Sequence, residues 1–140
     1  MKKHNLKFNA ISQKKTIFVT ELSIMLKVLH NNRCGKSRET IKLLEELKIP
    51  FEIVNYLTNP LSKEEINHIN QLTLKSLIEM VRTNESIWKT VYKSKELTND
   101  EVLIALETHP ILIERPLVYS EKFALVARPP QKIIDFLDSF

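Results

Sequence analysis

The feature that most constrains the fold is an apolar run, a helical stretch and a second apolar run, following one another with only short polar breaks. Residues 26–29 read apolar, Lys, apolar, apolar, the pattern of a short strand entering a core. Residues 37–47 then place Ile41, Leu43, Leu44 and Leu47 on one face and Lys42, Glu45 and Glu46 on the other, the spacing of an amphipathic helix. Pro50 stops that helix, and Phe51, Ile53 and Val54 belong to a second strand. Two strands joined through a helix pair in parallel with a right-handed crossover, so the chain is committed to an α/β fold.

The remaining sequence completes the arrangement. Ser62 with Glu65 three residues on is a capping-box signature, opening a helix through Ile66, Ile69 and Leu72, and residues 75–81 form another short helix. Thr98 with Glu101 repeats the device ahead of Val102, Leu103, Ala105 and Leu106, and His109 and Pro110 close that helix. Residues 117–119 and 123–126 are β-rich, and Ser120, Glu121 and Lys122 join them as an antiparallel hairpin. After Pro129 and Pro130, a last helix buries Ile133, Ile134, Phe136 and Leu137. The order is βαβ, a helical insertion, then ββα, which is the thioredoxin-like arrangement with an insertion between its halves.

Composition narrows the function classes. A chain of 140 residues suits one domain with its own core. Its 43% hydrophobic and 27% charged content is that of an ordinary globular protein, and a single glycine leaves no room for an extended Gly-rich phosphate loop. Lys2, Lys3, Lys7, Lys14 and Lys15 against Glu21 supply the whole net charge of +4, while the other 16 basic and 16 acidic residues cancel. The basic footprint of a nucleic-acid binder is therefore missing from the body of the chain. Residues 1–24 read as a basic extension, either disordered or the product of a start assigned too early with Met25 as the true first residue; residues 25–140 form the domain. No segment has the run of about 20 apolar residues needed to span a membrane, and polar residues interrupt any signal-peptide core. One cysteine makes no internal disulfide, which suits the cytoplasm and means that any redox chemistry borrows its second thiol from another molecule.

That cysteine, Cys34, lies between the first strand and the first helix, within His30, Asn31, Asn32, Arg33, Cys34, Gly35, Lys36, Ser37 and Arg38. A helix N-terminus offers unpaired N–H groups and the positive end of the helix dipole, both of which favour an anion. Moving a thiol from about 8.5 to about 6.5 takes roughly 2.7 kcal/mol, more than the ~2 kcal/mol at most that the dipole supplies. A further contribution is needed, and His30, Arg33, Lys36 and Arg38 are the neighbours able to make it. A buried, inert thiol is the competing reading, but this polar, cationic run is a poor apolar pocket. Ser37 occupies the place of a second thiol three residues on, so dithiol exchange within the chain is unavailable, and Thr40 stands where a cysteine phosphatase carries arginine. The histidines at 4, 30, 68 and 109 show no metal-ligand spacing with Cys34. Arg82, Arg115 and Arg128 each stand beside a break in secondary structure, and converging guanidinium groups suit a tetrahedral oxyanion. Of these, Arg115 precedes Pro116, which opens an internal strand and is expected in the cis form.

The run His30 to Thr40 resembles the H-N-P-x-C-x-x-S-R-x-T signature of the glutaredoxin-coupled arsenate reductase family. Pro110 to Val118, PILIERPLV, is similar to that family's P-x-L-I-x-R-P-I-V segment, Ala127, Arg128 and Pro129 match its G-R-P, and Arg82 falls in a stretch like its L-x-R. Asn32 replaces the usual proline and Ala127 the usual glycine. The resemblance implies a thioredoxin fold with a helical insertion and no bound cofactor or metal. It also implies attack of Cys34 on arsenate or a similar oxyanion held by Arg82, Arg115 and Arg128. His30 would help keep Cys34 ionised, Ser37 and Arg38 would support the loop, and glutathione and glutaredoxin would act as external reductants of a monomer. Two alternatives stay open: a thiol oxidoreductase acting on glutathione adducts, and a non-catalytic regulator similar to the Spx proteins that bind RNA polymerase, whose usual CxxC is lacking here.

Overall fold

A computed structural model describes residues 25–138, so the reading of residues 1–24 as an extension lies outside the described residues. The elements run β1 (Leu26–Leu29), α1 (Gly35–Glu46), β2 (Phe51–Val54), α2 (Lys63–Thr73), a 3-10 turn (Leu77–Met80), a π-helical turn (Trp88–Tyr92) and α3 (Asn99–Thr108). They continue with a second 3-10 turn (Pro110–Leu112), β3 (Leu117–Tyr119), β4 (Ala124–Val126) and α4 (Lys132–Asp138). The strands form one sheet in the order β2-β1-β3-β4. β1 runs parallel to β2, with Leu26 opposite Phe51, and antiparallel to β3, with Val28 opposite Val118. This is the thioredoxin-like fold, with α2, α3 and the three short helical turns inserted between its βαβ and ββα halves.

Alternation along the strands sends neighbouring side chains to opposite faces, and the two faces carry separate cores. Val28 and Val118 join Leu44, Leu47, Ala127 and Ile133 under α1 and α4. Leu29, Leu117 and Ala124 join Ile66, Trp88, Leu106 and Leu112, which is where the insertion buries its apolar side. The insertion therefore replaces no part of the sheet; it roofs one face of it. Among the described residues, no helix is long and apolar enough to cross a membrane.

Local chemistry explains the element boundaries. At α2, Ser62 Oγ accepts the Glu65 N–H at 3.1 Å and the Glu65 carboxylate accepts the Ser62 N–H at 3.3 Å, the reciprocal capping bonds expected from the sequence. Thr98 Oγ1 accepts the Glu101 N–H at 3.2 Å at the start of α3. The short helix expected at residues 75–81 is a 3-10 turn, closed by its own capping box between Ser76 and Glu79. The π-helical turn at Trp88–Tyr92 has no counterpart in the sequence pattern, because Trp88 is buried by the tertiary core rather than by a repeating face. α1 starts at Gly35, two residues before its apolar period begins, and this difference makes Cys34 itself the N-cap.

Candidate active site

β1 delivers the chain to a tight turn that is hydrogen-bonded throughout. Asn31 Oδ1 accepts the Arg33 N–H at 3.0 Å, and the Asn31 carbonyl accepts the Cys34 N–H at 2.9 Å. The Arg38 guanidinium donates to the Asn32 carbonyl at 2.7 Å, tying the first turn of α1 back over the loop. Side-chain bonds to both the side-chain amide and the main-chain carbonyl of Asn32 thus hold this turn. His30 is buried; its Nε2 meets Asn32 Oδ1 at 3.0 Å, and its Nδ1 has no partner.

Cys34 sits at the N-cap with extended backbone (φ −93°, ψ 120°), half-buried, and its carbonyl accepts the Arg38 N–H that starts the helix. Burial pushes the thiol up, but the Ser37 N–H, the Arg115 guanidinium, the Ser37 hydroxyl and the Lys36 N–H together outweigh it and bring it from 9.0 down to about 7. The need for a contribution beyond the helix terminus is met by Arg115, which arrives from the far end of the chain. His30 and Arg38 instead make their bonds within the loop. Ser37 is fully buried, and its hydroxyl also accepts the Asn31 N–H at 3.4 Å, which places it between the loop and the sulfur.

The three arginines meet at this end of the sheet. Arg115 and Arg128 each precede a cis proline, Pro116 and Pro129. Arg115 Nε and Nη1 are buried with no hydrogen-bond partner. Arg128 Nη1 donates to the Arg115 carbonyl at 3.1 Å. Arg82 donates through Nη1 to Glu114 at 3.2 Å and through Nε to Glu85 at 3.1 Å. Burial of Arg82 disfavours its charge, but Glu85 and Glu114 outweigh that and hold its pKa above the ordinary arginine value.

Two residues of the site escaped the sequence reading. Tyr56 is completely buried; burial raises its pKa, and the Arg115 guanidinium, by charge and by hydrogen bonding, and the charge of Arg82 oppose that. Glu114 stands between the arginines. A tyrosine two residues beyond a strand and a glutamate in an apolar run carry no periodic signal; a carboxylate directly beside Arg115 is the one clue the chain offers. A cleft of about 380 Å³ runs along the loop, walled by Asn31, Asn32, Arg33, Asn55, Thr58 and Ile111 among others. Among the described residues, no group of His, Cys, Asp and Glu side chains is arranged to hold a metal ion.

Fold and site together define a thioredoxin-fold protein with a single cysteine, rather than a dithiol, at a helix N-terminus that the Arg115 guanidinium approaches. The arsenate reductase of Neisseria meningitidis serogroup A is 40% identical over 110 residues, covering 77% of this chain and 94% of that protein. The arsenate reductase of Haemophilus influenzae is 34% identical over 112 residues, covering 79% and 97% respectively. A solved arsenate reductase from Vibrio cholerae superposes with a TM-score of 0.76 at 33% identity, covering 80% of this chain and 97% of that one. Residues 29–136 match the ArsC family model, and the chain belongs to the ArsC family.

Proposed function

We propose that the protein reduces arsenate to arsenite, with Cys34 as nucleophile and with glutathione and glutaredoxin as the source of electrons. The observation that carries this reading is the pairing of a thiol brought down to about 7 with a guanidinium, Arg115, that retains two buried donors no protein atom satisfies. A site built only for stability satisfies such donors internally; a site for an external acceptor keeps them. The names of the relatives agree with arsenate as that acceptor.

The Cys34 thiolate attacks arsenic and one arsenate oxygen departs as hydroxide or, once protonated, as water, leaving a sulfur–arsenic(V) bond. Arg115, with Arg82 and Arg128, binds the remaining oxygens and offsets the charge that builds on them in the transition state. A glutathione thiolate then attacks the Cys34 sulfur. The sulfur–sulfur bond forms as the sulfur–arsenic bond breaks with its electron pair passing to arsenic, which leaves as arsenite. Two thiol sulfurs are oxidised by one electron each, and arsenic is reduced by two. Glutaredoxin resolves the mixed disulfide by attack on the glutathione sulfur, returning Cys34 as a thiolate. The cleft beside Arg33 and the asparagine amides suits a peptide-like thiol with free carboxylates. Ser37 and the Lys36 and Ser37 N–H groups stabilise Cys34 as nucleophile and as leaving group, while Arg38 and His30 hold the loop that positions it.

The test is arsenate-dependent NADPH oxidation coupled through glutathione, glutaredoxin and glutathione reductase. Wild-type protein is expected to sustain turnover and Cys34→Ser to give none; equal rates for the two proteins sink the reading.

A further inference from the structure

The acceptor that Arg82 and Arg128 already possess is supplied by the protein itself. Glu114 Oε1 lies 3.2 Å from Arg82 Nη1 and 4.0 Å from Arg128 Nη1, and it accepts the Arg115 main-chain N–H at 3.3 Å. The backbone anchors both sides of this contact, since the Glu114 N–H donates to the Met80 carbonyl and the Arg82 N–H to the Leu112 carbonyl, each at 2.7 Å. The Arg82 and Glu114 side chains are only 20% and 23% exposed, so the pair is not a freely exchanging surface contact. One carboxylate oxygen thus accepts from a guanidinium and a main-chain amide, with the Arg128 guanidinium, whose Nη1 donates to the Arg115 carbonyl, at ion-pair distance beyond them, which is the company an oxygen of a bound tetrahedral anion keeps. Charge points the same way: Glu85 and Glu114 face Arg82, and Glu114 also lies at ion-pair distance from Arg128, so an incoming anion meets less free positive charge there than the arginines alone would offer.

We propose that Glu114 is an internal competitor for the substrate oxyanion and so the residue that sets oxyanion affinity: its carboxylate occupies Arg82 and Arg128 until an external anion displaces it. The proposal rests on the assignment of those arginines to the oxyanion in the reading above. It is opposite in sign to a simple scaffolding role. A scaffold that aims the arginines at substrate weakens binding when removed, whereas a competitor strengthens it.

Glu114→Gln keeps the shape and an acceptor oxygen while deleting the charge. The readout is protection of Cys34 from iodoacetamide by arsenate and, separately, by inorganic phosphate, alongside the KM for arsenate in the coupled assay. The half-protecting concentration of both anions is expected to fall about tenfold, the worth of roughly one freed charge-assisted hydrogen bond, and KM to fall with it. Glu85→Gln, which frees Arg82 Nε alone, is expected to lower the half-protecting concentration of both anions about threefold and tests the same idea if the first variant folds poorly. Half-protecting concentrations that stay the same or rise in the folded variants overturn the proposal. Stronger protection by phosphate in Glu114→Gln, in a protein that does not turn arsenate over, upholds the competitor and removes the arsenate reading; turnover with unaltered protection does the reverse.

Discussion

At the scale of single residues, the site turns on how a half-buried sulfur is kept anionic. Desolvation works against the thiolate, and four groups reverse it: the Ser37 and Lys36 N–H groups, the Ser37 hydroxyl and the Arg115 guanidinium. Ser37→Ala removes one of these without touching the backbone. The expected outcome is an upward move of the Cys34 titration midpoint by about one unit, the worth of a hydrogen bond to an anion, measured by the rate of iodoacetamide alkylation against pH. An unmoved midpoint would place the stabilisation entirely in the main chain and Arg115. The N-terminal part of this environment was legible in the sequence, because a strand, a polar turn and a helix in succession put Cys34 beside unpaired N–H groups whatever surrounds them. The part played by Arg115, 81 positions further on, was not legible from composition or spacing. Nor was Glu114, whose partner Arg82 lies 32 positions away and meets it only through tertiary folding.

At the scale of elements, caps and turns decide where each helix begins. Ser62 starts α2 through reciprocal bonds with Glu65, and α2 then buries Ile66 and Ile69 against the insertion core. Ser62→Ala is expected to lower unfolding free energy by about 1 kcal/mol, measured by urea denaturation, while Cys34 alkylation kinetics stay unchanged because α2 takes no part in the thiol's hydrogen bonds. A change in those kinetics would mean that the insertion is coupled to the active loop more tightly than its contacts imply. The capping box at Ser62, the Thr98 half of the second one and the short apolar strands are legible from residues alone because their causes are local; at Thr98 the reciprocal Glu101 bond is not made. The π-helical turn at Trp88–Tyr92 was missed for the opposite reason: Trp88 is held by packing with Tyr92, ring centroids 5.3 Å apart, and by the core beneath it. The apolar period alone starts α1 two residues late, because Gly35 and Lys36 add nothing to it, although they supply the turn that makes Cys34 the cap.

At the scale of the whole molecule, the fold carries chemistry that no segment carries alone. The loop after β1 provides the sulfur and the helix N–H groups; the approach to β3 provides Arg115 and Glu114; the middle of the insertion, just after its first 3-10 turn, provides Arg82; the segment after β4 provides Arg128. The β2-β1-β3-β4 order sets β1 beside β3, with Leu29 opposite Leu117, and this adjacency lets residues 34 and 115 meet. The thiol shift is therefore a property of the folded chain, and losing the fold must return Cys34 to its ordinary behaviour. The most direct measurement is the pH dependence of Cys34 alkylation in native protein and in the same protein unfolded in urea. The account predicts a midpoint of about 7 in the native protein, with the unfolded chain titrating in the ordinary thiol range, about one and a half units higher. A native midpoint that coincides with the unfolded one would contradict it.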